Sequence, residues 1–163
     1  MAGRLEDIAE GLNELYHATN IPSRFEIMAA HDGLKDGQAA GRVLKNLLDF
    51  LAEPAAATFD SLVGSVASLP APADGSRVLT WPNATILPFL GDPKRFMVLK
   101  PQVSRRMSPR LGVDLTYSAS PGWHTYDALL DMSKELLVRL SPLGARDYID
   151  VQSFMWVSKD LEW

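Results

Sequence analysis

The sequence predicts an α+β fold that is mostly α-helical and carries a small two- or three-stranded β element around residues 77–118. Two observations lead to this class. In residues 1–69, and again after residue 124, apolar residues recur at spacings of three and four, which places them on one face of a helix. Between those regions prolines interrupt the chain, and two short segments have the composition or the alternation of β-strands.

Helices are predicted from this apolar spacing and from the residues at their ends. Ser23 and Glu26 have the spacing of a capping box, in which each side chain satisfies a free backbone N–H at a helix N-terminus. Phe25, Ile27 and Met28 are expected to pack inward from the helix that follows. The predicted helices cover residues 4–17, the segment from 23 to a glycine-containing turn at 31–38, and residues 38–53, 55–69 and 125–140.

The chain from residue 70 to residue 118 is interrupted by prolines and does not show the apolar spacing of a long helix. "PAPADGS" is a loop, and Pro82 suits the first turn of a short helix because that turn leaves its N–H groups unpaired. "RFMVL" has a strand-like composition, and "VDLTYS" alternates as a strand does. The predicted elements are a helix over 82–90, a strand over 95–99, a helix over 101–111 and a strand over 113–118.

Length and composition indicate one domain over residues 1–163, with a helical subdomain over 1–69 and an α+β subdomain over 77–163. The chain has no cysteine, which excludes disulfides, zinc–thiolate sites and thiol catalysis and favours a reducing cytoplasm. The first twenty residues do not resemble a signal peptide, and no apolar run approaches the roughly 20 residues of a membrane helix. We therefore expect a cytoplasmic protein with no membrane partner.

The net charge of −4 conceals an uneven distribution. Residues 94–110 hold six basic side chains and no acidic one. Cations that converge without acidic neighbours can bind an anion or a nucleic acid. The alternative is that these side chains are solvated or paired with acidic groups while the apolar residues between them are buried. The candidate anion-binding and nucleic-acid-binding residues are Lys94, Arg95, Lys100, Arg105, Arg106 and Arg110.

A second candidate site lies in and near "DYIDVQSFMW", residues 147–156. Asp147 and Asp150 have the spacing of an N-cap residue and the third helical position, where the helix dipole favours negative charge. The alternative is that they bind a cation or position a partner. Trp81 and Trp123 could stack on bases, although tryptophan is more often a core residue. The candidate polar site consists of Asp147, Asp150, Gln152 and Trp123. The same helix is expected to place in the core Ile149, Val151, Phe154, Met155 and Val157. The ring of Trp156 is expected to be buried if its N–H finds a hydrogen-bond partner.

The sequence contains no complete motif for catalysis, metal binding or nucleotide binding. His17, His31 and His124 lie far apart and lack the spacings of a zinc signature. "LVGSVAS" lacks the second glycine of a nucleophile elbow, and Asp114 lacks the Glu-x-Lys element of a metal-dependent nuclease. We therefore predict no catalytic residue, no metal site and no cofactor.

Three segments in order, "LTWPNATILPFLGDPKRFMVLKPQVS", "DLTYSASPGWHTYDALL" and "DYIDVQSFMWV", resemble the carboxy-terminal region of an uncharacterised family of longer bacterial proteins. With "IPSRFEIMAAHDGL" the resemblance covers residues 21–157. The chain departs from the family pattern at "SRRMSPRLG", where the family is alanine-rich, and at Gly122, where it usually has Asn. The resemblance implies a short member of that family and no particular activity. Its most specific positions are Trp81-Pro82, Lys100-Pro101, Trp123 with Thr125-Tyr126, and Asp150 with Gln152-Ser153-Phe154 and Trp156.

These observations favour a bacterial, non-catalytic protein-interaction module of a larger system, whose partner is a protein. The first alternative is a nucleic-acid-binding or anion-binding module that uses residues 94–110. An enzyme without a recognisable motif is the third interpretation.

Overall fold

The computed structural model describes residues 2–161 and is built from helices, with no β-strand in that part of the chain. The predicted α+β class is therefore wrong, and so is the β element around residues 77–118. The elements are α1 Ala2–His17, α2 Arg24–Leu34, α3 Gly37–Ala52, α4 Ala56–Ala67, α5 Trp81–Gly91, α6 Pro101–Arg110, α7 Trp123–Leu140, a 3₁₀ turn Ser141–Leu143 and α8 Tyr148–Ser158.

Side chains at the helix N-termini explain where several helices begin. The Ser23 hydroxyl accepts a hydrogen bond from the Glu26 N–H at 3.3 Å, and the Glu26 carboxylate accepts one from the Ser23 N–H at 2.7 Å. This pair confirms the predicted capping box at the start of α2. Thr80 and Asp147 cap α5 and α8 through their own side-chain oxygens. Because such caps involve only neighbouring residues, the sequence predicted these helix positions to within a few residues.

The segment predicted as the first strand is buried but irregular. Met97 and Leu99 are fully buried, as the apolar composition of this segment indicates. The Leu99 N–H donates to the Thr85 hydroxyl at 2.9 Å, and the Tyr126 hydroxyl donates to the Met97 carbonyl at 2.9 Å. Side chains of α5 and α7 thus satisfy backbone groups that a neighbouring strand would otherwise satisfy. The composition indicated burial correctly, but it did not indicate the source of the hydrogen bonds.

The segment predicted as the second strand, residues 113–118, contains a turn. The Asp114 carboxylate accepts a hydrogen bond from the Thr116 N–H at 2.8 Å. Thr116 has a φ of 44°, in the left-handed region that a β-strand does not use. Its carbonyl accepts a hydrogen bond from the Thr125 hydroxyl at 3.0 Å, which ties the turn to the start of α7. The local Asp–Thr turn therefore breaks the predicted strand.

An aromatic cluster centred on Phe50 of α3 joins the two halves of the chain. The Phe50 ring lies 5.5 Å from that of Phe59 on α4 and 5.0 Å from that of Phe96. On α7, Trp123 and Tyr126 lie 6.1 Å and 6.3 Å from it. The predicted helical segment before residue 70 and the segment after residue 77 therefore contribute to one hydrophobic core. No helix within residues 2–161 is both long enough and apolar enough to cross a membrane.

Helix α2 packs through small residues, and not through all of the large ones predicted to face inward. Ala29 and Leu34 are buried, whereas Phe25 is 75% exposed and Met28 is 49% exposed. Ile27 is half-buried. The prediction that Phe25 and Met28 pack inward was therefore wrong, because it used apolar character without the position of α2 relative to its neighbours.

Replacing Phe50 with Ala should strongly destabilise the protein, because the side chain is fully buried and its ring contacts four others. We expect the free energy of unfolding to fall by about 3–5 kcal/mol in urea denaturation. Phe25→Ala is the matched control, since Phe25 is 75% exposed, and should change that free energy by no more than about 0.5 kcal/mol. Equal losses in the two variants would contradict the description of the core.

Replacing Thr85 with Val should also destabilise the protein, because it leaves the buried Leu99 N–H without its acceptor. The expected loss is about 1–3 kcal/mol in the same urea measurement. Thr85→Ser keeps the hydroxyl and should lose less. If the Val variant is as stable as the original protein, the hydroxyl does not replace a strand partner.

Candidate functional site

A groove with a volume of about 860 Å³ lies between the end of α1, the loop after it and one face of α8. Residues 17–21 form one wall, and α8 forms the other. Phe89 of α5 and Lys100, at the start of α6, complete the lining. We call this feature the α1–α8 groove. Its volume is in the range of about 300–1,000 Å³ that is usual for ligand-binding clefts.

The wall formed by α8 is a continuous helical face. Ile149, Trp156 and Val157 provide its large apolar side chains, which are 49%, 49% and 69% exposed, respectively. On the opposite side of α8, Val151 and Met155 are fully buried in the core. A helix that is apolar on all sides is normally buried on all sides. In α8, one apolar face is covered by the core and the other is open to the groove.

Both ends of α8 are fixed by side chains. At its N-terminus, the Asp147 carboxylate accepts hydrogen bonds from the N–H groups of Ile149 at 2.9 Å and Asp150 at 3.3 Å. At its C-terminus, the Arg110 guanidinium donates to the carbonyls of Ser158 and Lys159 at 3.0 Å and 3.1 Å. A cation at this end also complements the helix dipole. The open face of α8 is therefore held in a defined position.

Lys100 places a cation in the groove. Its ammonium donates to the Ile21 carbonyl and lies 5.1 Å from the centre of the Trp156 ring. Since Ile21 and Trp156 both line the groove, the ammonium lies between its two walls. Burial lowers the pKa of Lys100 below its ordinary value of 10.5, and the nearby negative charge of Glu26 opposes this shift without cancelling it.

Gln152 places an amide in the same groove. The residue is only 7% exposed, and it lines the groove from α8. Within residues 2–161 its side-chain amide has no hydrogen-bond partner. Its amide atoms are not among the fully buried polar atoms, so they are accessible from the groove to water or to a ligand. The groove therefore combines exposed apolar side chains with polar groups that have unused hydrogen-bonding capacity.

The structure distributes the basic stretch over several elements. Arg95 pairs with Asp92 at 2.6 Å, and the Arg105 guanidinium lies 5.0 Å from the centre of the Tyr117 ring. Arg106 pairs with Asp160 beyond the end of α8. Arg110 caps α8, Lys100 enters the groove and Lys94 is exposed on the surface. Five of these six side chains, all except Lys94, therefore contact other residues within residues 2–161, and of the six only Lys100 lines the groove.

The candidate polar site is not assembled as one cluster. Asp147 is the N-cap of α8, and Asp150 accepts a hydrogen bond from the Arg146 N–H at 2.8 Å, so both carboxylates stabilise the start of the helix. Trp123 belongs to the aromatic cluster around Phe50. Trp81 is also a core residue, 2% exposed, with its indole N–H donating to a backbone carbonyl. Of the four predicted residues, only Gln152 lines the groove.

Sequence reasoning missed the apolar part of the groove. Ile149 and Val157 were expected in the core, and both are exposed. Trp156 was expected to bury its ring, and half of it is exposed. A signal was present, because residues 149, 152, 153, 156 and 157 have the spacing of one helical face and residues 151 and 155 define another. Two apolar faces on a helix of 11 residues are more than one contact with the core can cover.

Within residues 2–161, no group of three or more His, Asp or Glu side chains is placed to hold a metal ion. Comparisons of the chain with known protein families, with curated proteins and with solved structures found no match. The resemblance to a family of longer bacterial proteins therefore stays a prediction.

The pKa of Lys100 can be measured directly. We expect its side-chain NMR signals, assigned with Lys100→Met, to titrate below 10.5 because burial disfavours the charged form. The folded protein then binds this proton less tightly than the unfolded chain does. The free energy of unfolding should consequently rise with pH in the interval just below 10.5, and Lys100→Met should lose that rise. A pKa at or above 10.5 would show that the ammonium is not desolvated.

Proposed function

We propose that the protein is a non-catalytic interaction module that binds a segment of a partner protein in the α1–α8 groove. The observation that carries this proposal is the open face of α8, where Ile149, Trp156 and Val157 are exposed on a helix fixed at both ends. Covering a large apolar side chain contributes about 1.5–3 kcal/mol. Tryptophan is also among the residues that most often dominate binding energy at protein interfaces.

The shape of the surface supports a segment of chain as the ligand. The loop at 18–21 and α8 face each other across the groove, so a ligand between them contacts two walls at once. A fixed helix loses little conformational freedom when the ligand binds, which favours affinity. The walls therefore suit a narrow partner segment that inserts apolar side chains beside Trp156.

The chemistry of the lining supports binding more than catalysis. Among the residues that line the groove, the ionisable side chains are His17 and Lys100. The one hydroxyl on the α8 wall, that of Ser153, donates to the Ile149 carbonyl of its own helix at 2.8 Å. General acid–base or nucleophilic catalysis needs a proton acceptor within hydrogen-bond reach of the reacting group. On the facing wall, the Thr19 hydroxyl accepts a hydrogen bond from the Ile21 N–H at 3.2 Å, and no hydrogen bond within residues 2–161 joins either hydroxyl to His17.

Nucleic-acid binding through residues 94–110 has less support. Binding to phosphates needs cations that converge on one surface. Arg95, Arg106 and Arg110 instead contact Asp92, Asp160 and the end of α8.

The cysteine-free sequence supports a cytoplasmic location, and the resemblance to longer bacterial proteins supports a role within a larger system. Both belong to the proposal.

The proposal can be tested by selecting peptide ligands from two libraries of random peptides displayed on phage. One library presents each peptide with a free carboxy-terminus, and the other embeds it between linkers. The selected peptides are then measured against two matched variants, Val157→Ser and Val138→Ser. These valines lie near the ends of α8 and α7 and are 69% and 67% exposed, but only Val157 lines the groove.

We expect Val157→Ser to weaken the selected peptides by roughly 10-fold, because an apolar contact is lost, and Val138→Ser to leave them unchanged. Isothermal titration calorimetry gives both affinities. The proposal is contradicted if neither library yields a ligand, or if the two valine variants behave alike.

A further inference from the structure

The side chains that line the groove include a cation, Lys100, and no carboxylate. The Lys100 ammonium forms no ion pair within 4.0 Å inside the described part of the chain. Its charged neighbour Glu26 already accepts a hydrogen bond from the Ser23 N–H at 2.7 Å. An ammonium has three donors and the Ile21 carbonyl uses one, so two remain for a ligand.

The other cation near Trp156 is neutralised within the protein. The Lys159 ammonium lies 4.7 Å from the centre of the Trp156 ring, and it pairs with Asp160. Arg106 pairs with the same carboxylate. In the described part of the chain Lys100 has no equivalent partner, so it is the cation on the groove wall that a ligand anion would neutralise.

Gln152 adds a second, independent group. The residue is 7% exposed, and its amide, whose atoms are accessible from the groove, makes no hydrogen bond within residues 2–161. An amide NH₂ has two donors, and an ionised carboxylate has two acceptor oxygens and no donor. One carboxylate can therefore accept from both Lys100 and Gln152, and charge-assisted hydrogen bonds of this kind are stronger than neutral ones.

The close approach of the cation and the aromatic ring favours a carboxylate that belongs to the last residue of a chain. The Lys100 ammonium and the centre of the Trp156 ring are 5.1 Å apart. A carboxy-terminal residue carries its carboxylate and its side chain on the same Cα atom. In an extended chain, an acidic side chain and an apolar side chain on the same side are two residues and about 6.6 Å apart. The terminal residue matches the shorter spacing.

We infer that the α1–α8 groove recognises the carboxy-terminal residue of its partner, with Lys100 and Gln152 binding the terminal carboxylate and Trp156 packing against an apolar last side chain. This inference rests on the proposed function and specifies its ligand. An acidic side chain within the partner is the competing source of the carboxylate.

The test uses three synthetic peptides and NMR spectra of the whole protein. The probes are acetyl-Gly-Gly-Leu with a free carboxy-terminus, the same peptide as its carboxy-terminal amide, and acetyl-Asp-Gly-Leu amide, in which the acidic and apolar side chains are two residues apart. Titrations follow the side-chain amide signals of Gln152 and the indole N–H of Trp156, assigned with Gln152→Glu and Trp156→Phe. We expect the free acid to bind about 10-fold or more tightly than either amide, because only it supplies a terminal carboxylate.

Variants of the two polar residues complete the test. Lys100→Met removes the cation and Gln152→Glu introduces a repelling carboxylate, so each should weaken the free acid by about 10-fold or more and leave the simple amide unchanged. Lys94→Met removes an exposed cation outside the groove and should change nothing. Circular dichroism confirms that each variant is folded.

The outcomes separate this inference from the proposed function. If the embedded peptide library yields ligands that depend on Val157, while the free acid and the simple amide bind equally, the protein is an interaction module and the terminal carboxylate is not its target. Tighter binding of the Asp-containing amide would assign the carboxylate to an internal acidic residue and overturn the inference. Failure of both libraries together with all three probes would overturn both proposals.

Discussion

The burial of residues 96–99 without a partner strand is the constraint on which the rest of the structure depends. This segment runs through the core, where Thr85 of α5 and Tyr126 of α7 provide hydrogen bonds to its backbone. Its position fixes where the chain leaves the core, at Lys100, and therefore where α6 begins. From α6, Arg110 reaches the last carbonyls of α8. One buried segment thus determines the position of the groove cation and of the helix that forms the groove wall.

The sequence predicted those parts of the fold that depend on near neighbours. The capping pair of Ser23 and Glu26 and the cap at Asp147 involve residues two or three positions apart, and they were predicted because their chemistry is local. The inward direction of a side chain is not local. Phe50 and Phe25 have the same chemistry, yet one is fully buried and the other is 75% exposed. This difference depends on the packing of whole helices, which apolar spacing does not specify.

The same limit applies to the candidate site. Lys94 and Lys100 are six positions apart and carry equal charges, so the sequence grouped them in one basic stretch. Only the packing of residues 96–99 separates them, since it leaves one ammonium on the surface and places the other beside Trp156. Gln152 was identified from sequence as a polar residue within an apolar helix, which is a local anomaly. Its association with Lys100, across the groove, required the tertiary structure.

Two departures from the usual rules of protein structure meet in the α1–α8 groove, beside one unpaired polar group. Trp156 is large and apolar but half exposed, and the Lys100 ammonium is partly desolvated but forms no ion pair within residues 2–161. The Gln152 amide, which is accessible from the groove, makes no hydrogen bond in that part of the chain. Each departure makes the free protein less stable than a conventional alternative would, through exposed apolar surface or a partly desolvated charge. Such departures are expected where a ligand compensates for them. A ligand that is apolar on one side and anionic on the other would contact all three groups at once, and this supports the proposal of an apolar residue with a terminal carboxylate.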